Sequence, residues 1–278
     1  MKTQVFGRAH DSAGGIAGYS TVMTNATLPA PALTADELAT FAERGWLLKR
    51  GLFSRDAMAA LAVETEGLHE RMSAHTPETV HVSWEEGLPA DRPQRIRQLM
   101  HSEVVSPILD GMSKSEAMLG VLRHLIGPDI YLFHSKLMMK AAHDGTFTPW
   151  HQDWGYWQYG SKRPTHINGM LAIDAADAEN GAIRFVDGSH KQGPVDHRHF
   201  ESASFSIGLD GGIEDRSSTM VEMQPGDVIF FGPLVIHGSG PNRSARDRRA
   251  NTFAFDTIAN QKGDPLPERW WRCGKREP

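Results

Sequence analysis

The chain has 278 residues and a formal net charge of −5, which gives no electrostatic reason to expect binding to nucleic acid or to an anionic membrane. Its apolar fraction of 40% and charged fraction of 23% are those of a soluble globular protein with a sizeable core. A single cysteine, Cys273, excludes an internal disulfide framework, and the N-terminus carries no signal-peptide pattern, so we expect a cytoplasmic protein.

The first part of the chain predicts an arm followed by helices. Residues 1–30 are rich in Gly, Ala, Ser and Thr and are predicted to form a flexible N-terminal arm. Thr34, with Glu37 three residues later, forms the pattern of a capping box, which predicts the start of a helix. The predicted helices span residues 34–45, 54–72 and 115–126, with a short strand at 46–51 between the first two.

Polar residues dominate the segment 73–115. Arg95, Arg97 and Gln98 alternate here with apolar residues such as Ile96. Two interpretations are open: some of these side chains line a pocket, or all of them form the solvated face of an amphipathic strand.

From Ile130 onward the pattern changes to strands. Each run carries β-branched, aromatic, Met or Leu residues and is bounded by Gly, Pro, Asn or Asp. The predicted strands are 130–142, 166–174, 182–187, 217–223, 227–231 and 250–258. Because no helices alternate with them, they predict an antiparallel double sheet, a mainly β jelly roll (double-stranded β-helix) with the N-terminal helices packed outside. We expect one domain over 31–278, with a helical part 31–128, a jelly-roll core 129–260 and a C-terminal tail 261–278.

The segment 149–157, PWHQDWGYW, is the first candidate for chemistry. Side chains two positions apart on a strand point to the same face, so His151 and Asp153 can reach one point. His237 follows the apolar run 227–236 and supplies a second imidazole. Two histidines and one carboxylate on one face of an ion, with the opposite face open, are typical of non-haem Fe(II) oxygenases. We therefore predict that His151, Asp153 and His237 bind a metal ion.

Other basic and imidazole side chains require comparison with this triad. His197 and His199 alternate as a rival metal-binding pair would, but their polar surroundings favour an exposed loop, and His190 is predicted to be a turn residue. Arg248 lies eleven residues after His237, where a planar guanidinium can bind a carboxylate at two points. The alternative is that the arginines of 243–249 form a solvated face.

The chain resembles the phytanoyl-CoA dioxygenase family of Fe(II)- and 2-oxoglutarate-dependent oxygenases. The similar segments are residues 33–56, WHQDWGYW (150–157), ENGAIRFVDGSH (179–190), PGDVIFFGPLVIHGSGPN (225–242) and RRANTFAF (248–255). The resemblance implies Fe(II) as cofactor, 2-oxoglutarate and O₂ as cosubstrates, and His151, Asp153 and His237 as the iron ligands. It also implies that Arg248 and Ser239 bind 2-oxoglutarate.

The activity implied by this resemblance is hydroxylation of an unactivated C–H bond, with succinate and CO₂ as co-products. The expected substrate is small: amino-acid-like, phosphonate-like or a natural-product intermediate. The predicted pocket residues are His134, Lys136, Trp157, Arg97 and Gln98. Asp153 favours hydroxylation, or desaturation, epoxidation or ring chemistry by the same oxidant, over halogenation, because related halogenases carry a small residue there.

An alternative interpretation is a cupin-like metal-binding protein with an isomerase or ligand-binding role. Cupins usually show His-x-His followed by Glu, whereas this chain has His-x-Asp and an otherwise unexplained Arg248. In either case we expect a small-molecule partner and no nucleic acid, membrane or obligatory protein partner.

Overall fold

The computed structural model describes residues 32–88, 90–199, 207–209, 217–262 and 267–276. The predicted arm, residues 1–30, lies outside these described residues. The helices are α1 (Ala35–Arg44), α2 (Arg55–Glu66), α3 (Leu68–Ala74), α4 (Ser102–Val105), α5 (Pro107–Ser113), α6 (Glu116–Ile126) and α7 (Trp154–Trp157). Within the described ranges, no helix is long and apolar enough to cross a membrane.

Fourteen strands occur in the described part of the chain, and every pairing between them is antiparallel. They are β1 (Trp46–Lys49), β2 (His81–Trp84), β3 (Ile96–Met100), β4 (Ile130–Lys140), β5 (Thr148–His151), β6 (Ile167–Ala172), β7 (Ile183–Phe185), β8 (Arg198–His199), β9 (Ile207–Gly208), β10 (Thr219–Met220), β11 (Val228–Phe231), β12 (His237–Ser239), β13 (Arg248–Thr257) and β14 (Trp271–Cys273). The larger sheet has the order β1-β11-β6-β13-β4-β3-β2, with β14 also paired to β4. The smaller sheet has the order β10-β7-β12-β5, and β8 pairs with β9. The predicted antiparallel double sheet is confirmed.

Apolar residues form two cores on opposite faces of the larger sheet. In one, helix residues such as Leu61 and Leu119 pack with Leu137 and Phe253 of the sheet. In the other, residues of β6, β11 and β13 pack with Phe185 and its neighbours from the smaller sheet. The second core therefore lies between the two sheets. The predicted histidine ligands lie on β5 and β12, which are neighbouring strands of the smaller sheet.

The first helix begins as its capping signal predicts. Thr34 accepts a hydrogen bond from the Glu37 N–H at 3.2 Å, and the Glu37 carboxylate accepts one from the Thr34 N–H at 2.9 Å. The single helix predicted over 54–72 is wrong, because the structure divides it into α2 and α3 at Gly67. Glycine is a poor helix former, and Leu68, the first residue of α3, is completely buried in the core.

Two further expectations need correction. The polar segment 73–115 contains β2, β3, α4 and α5, and Arg97 in β3 is buried with its guanidinium hydrogen-bonded to the Phe147 carbonyl, so Arg97 does not belong to a solvated face. The loop expected at 197–199 is partly a strand, since Arg198–His199 pair with β9. These strands are short, and such short pairings leave little periodic signal in a sequence. His190 lies in a 3₁₀ turn, as predicted.

Candidate metal centre and cosubstrate cavity

Two adjacent strands bring the predicted histidine ligands together. His151 of β5 and His237 of β12 lie directly opposite each other, with ring centroids 4.2 Å apart. The Nδ1 atom of His151 lies 2.8 Å from the Pro149 carbonyl oxygen, and that of His237 lies 3.1 Å from the Val235 carbonyl oxygen. Because a carbonyl oxygen can only accept, both Nδ1 atoms carry the proton and both Nε2 atoms present a lone pair.

Asp153 completes the group between the end of β5 and the start of α7. Its backbone is helical there, with φ −59° and ψ −27°, so the strand geometry expected for His151 and Asp153 is wrong, although both side chains do reach one point. Its Oδ1 lies 3.5 Å from Nε2 of His151, and its Oδ2 lies 3.8 Å from Nε2 of His237. Asn168 of β6 donates a 2.7 Å hydrogen bond to Oδ2, which orients the carboxylate. One ligand atom from each of these three buried residues lies within 4.8 Å of the others, close enough to bind a single ion.

The charge state of this triad suits a divalent metal. Burial alone raises the pKa of Asp153, but the neighbouring His237 and His151 outweigh burial and hold its pKa below the ordinary value. Burial, followed by the charge of His151, lowers the pKa of His237 to about 4. Near neutral pH the site therefore offers two neutral imidazole nitrogens and a carboxylate oxygen on one side of the position that an ion would take. This donor set fits Fe(II).

A cavity lies over the triad between the two sheets. Lys136, Met170 and Thr252 line it from one row of the larger sheet, because Thr252 of β13 pairs with Lys136 of β4 and with Met170 of β6. Ser239 and Arg248, the two residues predicted to bind 2-oxoglutarate, line the same cavity.

Glycine at position 238 explains how β12 reaches the cavity wall. A Cβ atom there would lie 3.1 Å from both the Thr148 carbonyl oxygen and the Trp150 ring. The missing side chain therefore lets β12 lie close against β5, which sets the positions of His237 and Ser239 on either side.

The two arginines at the start of β13 have different surroundings. Arg248 is buried and donates to the Gly181 carbonyl at 3.1 Å, while its Nε–H has no hydrogen-bond partner among the described residues. Burial lowers the pKa of Arg248 to about 10, against an opposing effect of Asp174. Arg249 forms a two-point ion pair with Asp174, at 2.8 and 2.9 Å. Arg248 is thus the arginine of this pair with donor capacity left for a carboxylate in the cavity.

The structure separates the five residues predicted to line a substrate pocket. Lys136 lines the cavity over the triad. His134 and Trp157 pack edge to face, with ring centroids 5.4 Å apart, and do not line this cavity. Arg97 and Gln98 lie on β3, next to β4, and do not line it either.

Three polar residues near the site were not predicted. Asn168 orients Asp153, and its signal was a polar residue within the otherwise apolar segment 167–172. Lys140 is buried opposite Arg248 and donates to the Gly240 carbonyl beside Ser239, at 2.5 Å. Gln152, between two ligands in sequence, is completely buried.

Two antiparallel sheets that enclose a His-x-Asp…His triad define a jelly-roll oxygenase of the non-haem iron class. The sequence model of the phytanoyl-CoA dioxygenase (PhyH) family matches residues 41–250, and the chain belongs to this family. The family and the triad together make it a 2-oxoglutarate-dependent dioxygenase that uses iron.

Curated relatives cover most of the chain. An L-proline trans-4-hydroxylase from Streptomyces griseoviridis is 26% identical over 250 residues, which is 83% of this chain and 89% of the relative. An ectoine dioxygenase from Bordetella parapertussis is 26% identical over 252 residues, 85% of this chain and 79% of the relative. The fold also matches a crystal structure of EctD from S. alaskensis with 2-oxoglutarate and 5-hydroxyectoine. That match has a TM-score of 0.68 and 20% identity, and it covers 92% of this chain and 89% of the other.

Proposed function

We propose that the protein hydroxylates an unactivated C–H bond of a small organic substrate that carries an anionic group. Amino-acid-like, phosphonate-like and natural-product substrates all fit this description. The observation that carries the proposal is Lys136, which lines the cavity over the triad and whose ammonium group has no ion-pair or hydrogen-bond partner among the described residues. A lysine in such a position binds an anion as a compact point charge.

In this proposal Arg248 and Ser239 bind the distal carboxylate of 2-oxoglutarate. Arg248, with its unpaired Nε–H, and Ser239 line one cavity, and a guanidinium binds a carboxylate at two points. Lys140, which donates to the Gly240 carbonyl, holds the end of the segment that carries Ser239. These contacts orient the cosubstrate toward the triad.

Iron held by His151, Asp153 and His237 would supply the oxidising chemistry: O₂ is consumed, 2-oxoglutarate is converted to succinate and CO₂ with one oxygen atom, and the other oxygen atom enters the substrate. The protein's own contribution is to orient the substrate and to exclude water. Lys136 fixes the anionic group of the substrate, and the apolar side chains of Met170 and Phe231 border the cavity. Asp153 would hold the third ligand position on the metal, which leaves no place there for a halide and favours hydroxylation, or another oxidation of the same C–H bond, over halogenation.

We also propose that residues 31–278 act as one catalytic domain, with 31–128 as its helical part, 129–260 as its core and 261–278 as its tail. In this proposal His134, Gln98 and Trp157 extend the substrate pocket beside Lys136: His134 lies two residues from Lys136 on β4, Gln98 pairs with a cavity residue of β4, and Trp157 packs against His134. Arg97, next to Gln98 on β3, supports this strand through its hydrogen bond to the Phe147 carbonyl. The protein is proposed to work in the cytoplasm on free small molecules, without a protein, nucleic-acid or membrane partner.

The test is a screen with the full chain, Fe(II), ascorbate and 2-oxoglutarate against carboxylic acids, phosphonates and amino acids. The expected result is succinate formation coupled to a substrate mass increase of one oxygen atom, with both signals lost in a His151→Ala variant. A chlorinated product, or turnover that does not require Fe(II), would contradict the mechanism. Tight metal binding without succinate formation from any of these compounds would favour the cupin-like binding protein.

A further inference from the structure

Gln152 lies between two metal ligands in sequence, yet its side chain points away from the metal site. It is completely buried, and all of its polar groups are hydrogen-bonded. Its side-chain amide donates to the Leu234 carbonyl at 2.7 Å and to the Gly193 carbonyl at 3.0 Å. Its side-chain oxygen accepts from the Val195 N–H at 2.9 Å. One side chain therefore joins the His-x-Asp motif to two other segments.

The bond to Leu234 connects the first two ligands to the third. Leu234 immediately precedes Val235, whose carbonyl accepts the Nδ1–H of His237 and so sets the direction of its Nε2 lone pair. The backbone N–H of Trp154 donates to the Pro233 carbonyl at 3.0 Å and adds a second link between the same segments. A shift of the segment 233–235 relative to Gln152 would consequently turn His237 relative to the other two ligands.

His197 accepts a hydrogen bond from the backbone of the His-x-Asp motif. The backbone N–H of Gln152 lies outside the ladder between β5 and β12 and donates to Nε2 of His197 at 2.9 Å. This contact satisfies a buried donor that would otherwise lack a partner, and such unpaired donors are strongly unfavourable. The imidazole that resembled half of a rival metal pair in the sequence is thus an acceptor for the backbone of the triad.

We propose that Gln152 and His197 are positioning residues that hold His151, Asp153 and His237 in the geometry that binds the metal. Neither residue touches the metal, the cosubstrate or the substrate in this proposal. They act through the hydrogen bonds that fix the ligands, a role in which outer hydrogen-bonding partners strongly affect metal affinity. The inference rests on the metal centre of the proposed function and adds the residues that determine its geometry.

The test measures Co(II) binding to metal-free full-length protein, because the visible absorption of Co(II) reports both affinity and ligand geometry. Gln152→Glu keeps the shape and the acceptor for Val195 but places carboxylate oxygen against the Leu234 and Gly193 carbonyls. We expect the Co(II) dissociation constant to rise by about 10–100-fold and the absorption bands to change at saturation. The matched control is Gln158→Glu, because Gln158 is exposed and its side-chain amide donates to the nearby Gly155 carbonyl, not to a segment that carries a metal ligand. It should bind Co(II) as the wild type does.

A second pair of variants keeps the test decisive if Gln152→Glu does not fold. His197→Gln places an acceptor oxygen near the position of Nε2, whereas His197→Phe removes the acceptor. We expect weaker Co(II) binding in the Phe variant and recovery in the Gln variant, with both folded by circular dichroism.

The outcomes separate this inference from the proposed function. Wild-type affinity in folded Gln152→Glu, or equal loss in both His197 variants, would overturn the positioning role and leave the metal centre intact. Equal Co(II) binding by the wild type and His151→Ala would overturn the metal centre itself.

Discussion

Replacing Arg248 with methionine is expected to stabilise the protein and, at the same time, to abolish its response to 2-oxoglutarate. The guanidinium is buried, donates to the Gly181 carbonyl and has an Nε–H without a partner among the described residues. It also lies opposite the buried Lys140 on β4, and burial together with the Arg248 charge holds the pKa of Lys140 well below its ordinary value. The Arg248 charge is therefore only partly compensated, by Asp174, in the protein without its cosubstrate.

The magnitude follows from the pKa. Burial, partly opposed by Asp174, lowers the pKa of Arg248 from 12.5 to about 10. Since one pKa unit corresponds to about 1.4 kcal/mol, the buried charge costs on the order of 3 kcal/mol. Methionine has a similar stem and no charge, so the free energy of unfolding of the ligand-free protein should rise by about 1–3 kcal/mol.

Urea unfolding with and without 2-oxoglutarate, in the presence of Co(II), measures both effects. Ligand at about one hundred times its dissociation constant should stabilise the wild type by about 2.7 kcal/mol. Loss of a charge-assisted two-point contact should remove this stabilisation in Arg248→Met.

The neighbouring arginine is the matched control. Arg249 pairs with Asp174 at two points and donates to the Ala62 carbonyl of α2. Arg249→Met should therefore lower the free energy of unfolding by about 3 kcal/mol and leave the response to 2-oxoglutarate unchanged. The reasoning is refuted if Arg248→Met is the less stable of the two variants, or if it is still stabilised by 2-oxoglutarate.

Three further predictions follow from the same site. Lys136→Met should raise the KM for an anionic substrate by about 10–100-fold while the KM for 2-oxoglutarate changes little, and steady-state succinate assays would contradict this if the two constants rose together. Asn168→Leu removes the hydrogen-bond donor to Asp153 and should weaken Co(II) binding by about 10-fold in a titration. An unchanged Co(II) affinity would show that Asn168 does not orient Asp153 for metal binding. Burial, then the Lys136 charge, lowers the pKa of His134 from 6.5 to about 3. As the pH falls below about 6.5, the His134 imidazole is therefore protonated in the unfolded chain and stays neutral in the folded protein. Acid therefore destabilises the wild type, and His134→Gln should gain about 2 kcal/mol relative to the wild type between about pH 7.5 and about pH 5 in urea unfolding. Parallel pH profiles would refute this.

The sequence predicted the long elements and the ligands for different reasons. β4 and β13 were predicted because runs of 11 and 10 residues carry a clear strand pattern. β5 and β12 have 4 and 3 residues, too few for any periodicity, and neither was among the predicted strands. The extended backbone assumed for His151 and Asp153 holds only as far as His151, where β5 ends. The histidines of β5 and β12 were nevertheless found, because metal ligation restricts residue type and spacing more strongly than strand formation does.

What the sequence could not supply was the set of partners that lie far apart along the chain. Gln152 meets His197 and Leu234, which are 45 and 82 residues away, and no local pattern encodes such pairings. Arg248 and Arg249 are adjacent residues of the same type. They differ in the donors left for a ligand, because Asp174 forms a two-point ion pair with Arg249. The break at Gly67 was missed for a similar reason, since the burial of Leu68 is a tertiary effect.

The direct pairing of His151 with His237 links metal binding to strand register. Side chains alternate between the two faces of a strand, so a slip of β12 by one residue would turn His237 away from the triad and place Gly238 opposite His151. A misregistered sheet could not bind the ion, whereas the correct one gains the full binding free energy. Bound iron would thus stabilise the native register of β5 and β12 relative to misregistered pairings, and so raise the fraction of molecules that fold into the active arrangement.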